Sequence, residues 1–299
     1  MGRRAAALPA ELKTGPFRTR DALDRGVTGG RLRANDLSTP IRGVRLPGHD
    51  DGLESRCQAF LLHREERIAF SHLTAAELLG APLPAHIRED ARLHVSVPAG
   101  ERAVQARSVA GHTLSAWNTI SVRGLPLTTP EQTWLDLAVS LDRDALVALG
   151  DWLVSYRHPL TTPEALAEIV RSTPGRRGIM KARTALALIR TRSESPAETR
   201  LRLLIVDAGL PEPALNYLIH QRDGGFIARV DMAYPDRGVV LEYEGDGHRV
   251  QRDVWFRDIR RREQLEDLGW RVVRVTAADM QSPTALLSRL SRLLWTRRE

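Results

Sequence analysis

The chain of 299 residues sets 44 Lys and Arg against 37 Asp and Glu, a net charge of +7, with 42% hydrophobic and 27% charged residues. That balance excludes disorder or a coiled coil as the dominant state, and no apolar run approaches the roughly 18 residues of a membrane span. The single cysteine, Cys57, excludes an intramolecular disulfide and any cysteine-built zinc site, and fits a reducing cytoplasm. The basic excess favours a polyanionic partner such as nucleic acid, with a basic surface that serves solubility only as the competing reading. The excess is almost all arginine: the only lysines are Lys13 and Lys181. The opening Met1-Gly-Arg-Arg-Ala-Ala-Ala-Leu-Pro9 has no adequate apolar core, so no signal peptide is expected.

Residues 17–37 read as two short helices. Thr19 is placed to cap the first and Gly26 to stop it; Thr28 is placed to cap the second, which carries Arg31 and Arg33. Ile41-Arg-Gly-Val-Arg-Leu-Pro-Gly48 then reads as a short hairpin bearing Arg42. Helix, turn, helix and basic hairpin is the outline of a winged helix-turn-helix, with Arg31, Arg33 and Arg42 as its nucleic-acid contacts. A plain helical hairpin with solvated arginines is the competing reading. Residues 51–190 mix helices and short strands: a Gly-terminated helix over 71–80, an alternating strand over 92–98, and a helix opened by Pro130. His72, His94 and His112 lack metal-ligand spacing, and no chemistry is assigned to them. The hairpin at Arg42, the segment Ser71-His-Leu-Thr-Ala-Ala-Glu-Leu-Leu-Gly80 and the segment Leu125-Pro-Leu-Thr-Thr-Pro-Glu-Gln-Thr-Trp-Leu-Asp-Leu-Ala138 together resemble the N-terminal part of AbiEi-type antitoxins. That resemblance implies DNA binding by a winged helix, usually for autoregulation.

The polar stretch 190–196 marks a boundary, giving regions 1–50, 51–190 and 191–299. Past it, Ser195-Pro-Ala-Glu198 reads as a capping box opening a helix closed by Gly209. Strands follow over 215–220, 226–233 and from Val239, then a helix over 253–268, a strand over 270–276 and a final helix over 284–297. The expected fold class is therefore α/β, with a mixed sheet flanked by helices in the C-terminal region.

The turn at Pro235-Asp-Arg-Gly238 sets a register in which Asp231 lies opposite Glu242 and Arg229 opposite Glu244. Like charges in direct cross-strand relation destabilise a sheet, so a cation, a raised pKa or a nearby basic group is expected. Two carboxylates from adjacent strands suit Mg²⁺ or Mn²⁺, which would activate water and stabilise charge on a scissile phosphate. His248, just past them, is placed to act as general acid or base, and Arg257 and Arg261 on the next helix to hold a phosphate backbone.

Asp231, then Glu242-Tyr-Glu244-Gly, His248, Asp258-Ile-Arg-Arg-Arg-Glu-Gln-Leu265 and Gly269-Trp-Arg-Val-Val-Arg-Val275 resemble, in that order, the Vsr-like branch of the PD-(D/E)XK nuclease superfamily. The match spans about residues 193–279 and implies a restriction-endonuclease-like fold, a Mg²⁺-dependent phosphodiesterase core and DNA as substrate. By position it makes Asp231 the central metal ligand and Glu242 the second acid. Glu244 stands where the superfamily often has lysine, His248 is the candidate general base, and Glu198 matches the acidic residue of the first helix. Dull readings stand beside these: Glu198 as the capping box alone, and Glu244 as the ion-pair partner of Arg229. Two functions follow: a metal-dependent DNA endonuclease or nickase with an N-terminal targeting module, or a catalytically inactive, antitoxin-like DNA-binding regulator. The expected partners are DNA, a second copy of the chain, and a toxin–antitoxin or defence-system component.

Overall fold

The computed structural model describes residues 6–48, 52–64, 67–221, 223–244 and 252–295, with the backbone alone over 252–259. The protein is mixed α/β and divides into two compact units, Met1–Ser140 and Leu141–Glu299.

The first unit opens with β1 (Phe17–Arg18), α1 (Thr19–Asp24), β2 (Leu37–Ser38) and β3 (Val44–Pro47), forming a three-stranded antiparallel sheet of order β1-β3-β2. Gly26 ends α1 with φ 80°, as the sequence predicts. The second predicted helix is instead a single 3₁₀ turn over Arg31–Arg33. Thr28 does receive the Arg31 N–H at 3.2 Å, but one capped turn is all that forms. Gly29 and Gly30 weaken helix propagation, and the Arg31 side chain is drawn inward. A small core of Leu8, Leu12, Phe17, Ala22, Val27, Leu32 and Leu37 holds this segment together.

The chain continues through α2 (Leu53–His63), β4 (Ala69–Phe70), α3 (His72–Leu79), β5 (Leu93–Pro98), β6 (Gln105–Ala106), β7 (Val109–Leu114), β8 (Thr119–Val122), β9 (Leu125–Thr128) and α4 (Pro130–Leu137). The strands form a six-stranded mixed sheet of order β6-β7-β5-β4-β9-β8, in which β5 runs parallel to β7. Its core packs Phe60, Phe70, Leu78, Val95, Leu125 and Leu127. In β7, a Cβ at Gly111 would meet the Val104 carbonyl oxygen at 2.0 Å, so the position before His112 admits only glycine without a backbone shift.

The second unit begins with three helices, α5 (Arg143–Leu153), α6 (Pro163–Ser172) and α7 (Ile179–Leu188). It continues with α8 (Pro196–Asp207), β10 (Ala214–His220), β11 (Phe226–Tyr234), β12 (Val239–Glu244), α9 (Arg252–Asp267), β13 (Arg271–Thr276), α10 (Ala277–Gln281) and α11 (Thr284–Trp295). The polar stretch 190–196 thus lies inside this unit. What binds α5 to α8 is a buried charge network. The fully buried Arg202 guanidinium donates to Asp151 at 2.9 Å and to Glu212 at 3.2 Å. Asp151 also accepts the Arg190 N–H and the Thr199 hydroxyl.

The four strands form one sheet of order β10-β11-β12-β13, antiparallel except for the parallel β12–β13 pair. Val239 and Leu241 face a core with Leu201 and Ile205 of α8 and Leu286, Leu290 and Leu294 of α11. Val240 faces the opposite core with Val230 and Leu265 of α9. A strand buried on both sides explains the unbroken apolar run that begins β12.

Candidate functional site

The observed β11–β12 pairs are Tyr234↔Val239, Ala233↔Val240 and Met232↔Leu241, the register the turn predicts. One step beyond stand Asp231 and Glu242. There the regular ladder opens: Asp231 Oδ2 accepts the Tyr243 N–H at 2.9 Å, so a carboxylate takes the place of a backbone acceptor. On the other edge of β11, Leu215↔Met232 and Tyr217↔Val230 bracket Asn216 against the same Asp231. Asn216 adopts the left-handed conformation (φ 47°) inside a strand. Asparagine is poor in strands but tolerates that conformation, the one signal by which the sequence could have singled it out.

Glu198, on the first turn of α8, lies near enough to Asp231 for the two charges to interact. Its own N–H goes to the Ser195 hydroxyl at 3.1 Å, as a helix cap requires. Its carboxylate interacts with the Ser195 side chain and accepts from the Glu194 N–H (3.0 Å) and from Asn216 Nδ2 (3.2 Å), while Asn216 also donates to the Arg192 carbonyl (2.6 Å). Helix capping and the bond from Asn216 together hold the carboxylate. Burial raises its pKa, and the charge of Asp231 adds to that effect. Burial likewise raises the pKa of Asp231, opposed by the Tyr243 N–H and by Arg261 and Arg229, and reinforced by Glu194.

A basic group stands at Glu242 and acts on Asp231. Arg261, one turn before Leu265 on the buried face of α9, places Nη2 2.9 Å from Glu242 Oε1. Arg229 does not reach Glu244. It bonds Glu194 (2.9 Å) and the Tyr156 hydroxyl (2.8 Å), and Tyr156 and Arg157 also reach Glu194. Glu244 pairs with Arg274 of β13 at 2.9 Å. The correction has a simple cause. Past Leu241, β12 is paired with β13 alone, through Glu244↔Thr276, so Glu244 finds its partner there.

The other predicted site residues divide as follows. Arg31 is buried, with its guanidinium held by both oxygens of Asp36 (2.8 and 2.7 Å) and by the Ala6 carbonyl. It supports the fold, and a phosphate contact would have to break those bonds. Arg33 and Arg42 are exposed. His248 lies outside the described residues, and Arg257 lies on α9 with its side chain outside them. Asp231 and Glu242 offer only oxygen donors from adjacent strands, the ligand chemistry of Mg²⁺. They fit that ion by donor type, with Arg261 standing where it would bind. In the first unit, His72, His94 and His112 come together. No helix among the described residues is long and apolar enough to cross a membrane.

No family model matches the chain. Two Mycobacterium tuberculosis proteins, "Uncharacterized protein Rv2248" of strain ATCC 25618 / H37Rv and "Uncharacterized protein MT2308" of strain CDC 1551 / Oshkosh, are each 34% identical to it over 174 residues. The match takes in 58% of this chain and 63% of each relative, so the chain spans under two thirds of the length of these relatives. Among solved structures, the chain is similar to the crystal structure of RV2827C protein from Mycobacterium tuberculosis, at 16% identity and a TM-score of 0.41, over 70% of this chain and 84% of that one.

Proposed function

We propose that the C-terminal unit is a metal-dependent DNA endonuclease or nickase of the Vsr-like PD-(D/E)XK type, guided by a DNA-binding N-terminal region. The observation that carries this reading is the placement of Asp231 and Glu242 one step past the last β11–β12 pair, with Glu198 of α8 near enough to Asp231 for that charge to raise its pKa. Two of the three are buried enough for their pKa values to rise, and Glu198 is raised in part by Asp231. A fold gains no stability from burying Glu198 and Asp231 within reach of each other's charge, so their placement argues for a task. The element order of helix, three antiparallel strands, helix and parallel strand supports the same reading.

In this reading Asp231 and Glu242 hold Mg²⁺ or Mn²⁺, with Arg261 displaced from Glu242 toward the phosphate. The ion would supply charge neutralisation at the scissile phosphate and a more acidic water. The chain's own residues do the rest. The Tyr243 N–H fixes the orientation of Asp231. Asn216 positions Glu198. His248 serves as the general base.

Supercoiled plasmid incubated with the protein and Mg²⁺ or Mn²⁺ provides the test. Nicked or linear product is expected, and Asp231→Asn should abolish it. The proposal fails if neither ion supports cleavage, or if cleavage survives Asp231→Asn.

One observation favours a second reading, a non-catalytic antitoxin-like regulator that binds DNA. Glu242 and Glu244 are both engaged by arginines, and no lysine follows Lys181. Such a protein would bind its own promoter, with log affinity falling steeply against log salt and no strand scission. In that case Arg33→Ala and Arg42→Ala should weaken binding.

A further inference from the structure

Three histidines far apart in sequence meet in the first unit. His72 opens α3, His94 lies on β5 and His112 on β7. The parallel β5–β7 register sets Ser96 beside His112, two residues from His94, so both histidines stand on one face of the sheet. His94 Nδ1 lies 3.1 Å from His112 Nε2. The His72 ring stacks on His112 with centroids 3.7 Å apart, and lies 5.6 Å from His94. One ligand atom from each ring falls within 4.8 Å of the other two, and this is the one such group of three His, Cys, Asp or Glu residues among the described residues.

The surroundings of the rings are those of metal ligands. Asp136 Oδ2 lies 3.4 Å from His72 Nδ1, and Asp90 Oδ2 lies 3.4 Å from His94 Nε2. Each carboxylate thus sits at the nitrogen on one side of its ring. His72 Nε2 and His94 Nδ1 are the ring nitrogens on the sides away from these carboxylates, and His94 Nδ1 is the one that meets His112. Asp136 is itself fixed: it is 1% exposed, and its other oxygen accepts from Gln132 Nε2 at 2.6 Å. The frame is rigid as well. Ser71 accepts the Ser96 hydroxyl proton at 2.7 Å and lies 3.1 Å from His72 Nδ1, and the His94 N–H goes to the Thr74 hydroxyl at 2.8 Å. Ser71 occupies the N-cap position of α3 without making a side-chain cap bond, its hydroxyl being turned to this cluster. His72 and His112 are partly exposed, so an ion has a path in.

We propose that His72, His94 and His112 bind one first-row transition-metal ion, with Zn²⁺ the best match. Three imidazole nitrogens suit borderline cations such as Zn²⁺ and Co²⁺ rather than Mg²⁺. Three protein ligands leave a fourth tetrahedral position for water or an incoming ligand. The site is separate from the carboxylates of β11 and β12 in both residues and metal preference, so either proposal can fail while the other stands.

The test uses the full chain, stripped with a chelator and titrated with Zn²⁺ by calorimetry and with Co²⁺ by visible absorption. One ion per chain is expected, with the strong visible bands of tetrahedral Co²⁺. The double variant His94→Gln/His112→Gln should lose at least about 100-fold in affinity, and Asp90→Asn, which removes an orienting partner, about 10-fold or more. Circular dichroism of each metal-free variant checks that it is folded. Asp231→Asn should bind Zn²⁺ as the parent does. Absence of saturable Zn²⁺ and Co²⁺ binding by the parent overturns the proposal and leaves a metal-free polar cluster. Binding unchanged in a folded double histidine variant also overturns it, because the ion is then held by other residues.

Discussion

Arg261 is the cation that the Asp231–Glu242 pair requires, and replacing it tests the electrostatic account of the site. Arg261→Met keeps most of the aliphatic stem and removes the charge. Two unit charges about 4 Å apart attract by about 4 kcal/mol at an effective dielectric of about 20. The Arg261 side chain is 38% exposed and that of Glu242 is 18% exposed, so solvent screening and the cost of ordering the arginine offset much of this. A net loss of about 1–2 kcal/mol is expected at neutral pH. For a unit of this size that lowers the melting temperature by roughly 3–8 °C.

The loss should depend on pH, and its sign is set by Asp231. Burial raises the pKa of Asp231 in the folded protein, so its protonated form is the one the fold favours. Its contribution is therefore most favourable at low pH and is lost as pH rises through the folded value. Arg261 opposes the rise, so removing it raises the pKa further and deepens the deficit where the carboxylates are charged. Thermal unfolding followed by circular dichroism at about pH 7.5 and about pH 5 should show the variant's deficit shrinking at the lower pH. Mg²⁺ adds a second reading. If the vacated carboxylates take the ion, a concentration ten times Kd stabilises the variant by about 1.4 kcal/mol, and should stabilise the parent less. Equal melting temperatures for variant and parent at both pH values would refute the role given to Arg261. A deficit that does not change with pH would refute its coupling to Asp231.

Three further outcomes are expected. Asn216→Ala keeps a β-carbon in the left-handed region without asparagine's tolerance of it and removes donors to Glu198 and to the Arg192 carbonyl, a loss of about 2–4 kcal/mol, whereas Asn216→Gly should lose less. Equal stability of the two variants in urea unfolding would show that the backbone conformation at Asn216 carries none of the cost. Arg202→Met leaves Asp151 buried without its charged partner and should cost about 3–5 kcal/mol by chemical denaturation, part of which Asp151→Asn should restore in the double variant. Burial pushes the Cys57 thiol up to about 12, so a thiol reagent at about pH 8 should label the protein only as fast as it opens, and rapid stoichiometric labelling would contradict the buried placement.

The C-terminal sheet was legible because its determinants are local. A turn between two apolar strands fixes which residues oppose each other, and the pairs from Tyr234↔Val239 to Met232↔Leu241, one step short of Asp231 and Glu242, follow from the turn at 235–238. The same rule failed two residues later, where Glu244 turns to Arg274, because a register says nothing about where a ladder opens. Arg261 was named from its helix as a phosphate contact. Its distance from Glu242 depends on how α9 packs over the sheet, which no local pattern carries. The N-terminal segment shows the converse. Thr28 accepts the Arg31 N–H, yet that bond cannot make a helix where two glycines follow and the next side chain is drawn inward to Asp36, and Gly30 heads the single turn that forms. Asp151 and Arg202 are likewise far apart in sequence, and their pairing brings the helices from Arg143 onward into the unit of the C-terminal sheet.

Strand direction separates the two sites most sharply. Antiparallel neighbours joined by a tight turn keep opposed residues close in sequence, so a pair such as Asp231 and Glu242 can be found by counting from the turn. Parallel neighbours need a crossover, and residues that meet across them are separated by the whole connection. His94 and His112 meet across the parallel β5–β7 pair, and His72 arrives from a helix on the far side of the intervening chain. Their spacing resembles no metal motif because such motifs describe ligands that share one hairpin or one helix turn. Scattered spacing is therefore poor evidence against a metal site wherever a parallel pair is expected. The better sign is a buried acid such as Asp136, which accepts from Gln132 with one oxygen and stands 3.4 Å from His72 Nδ1 with the other.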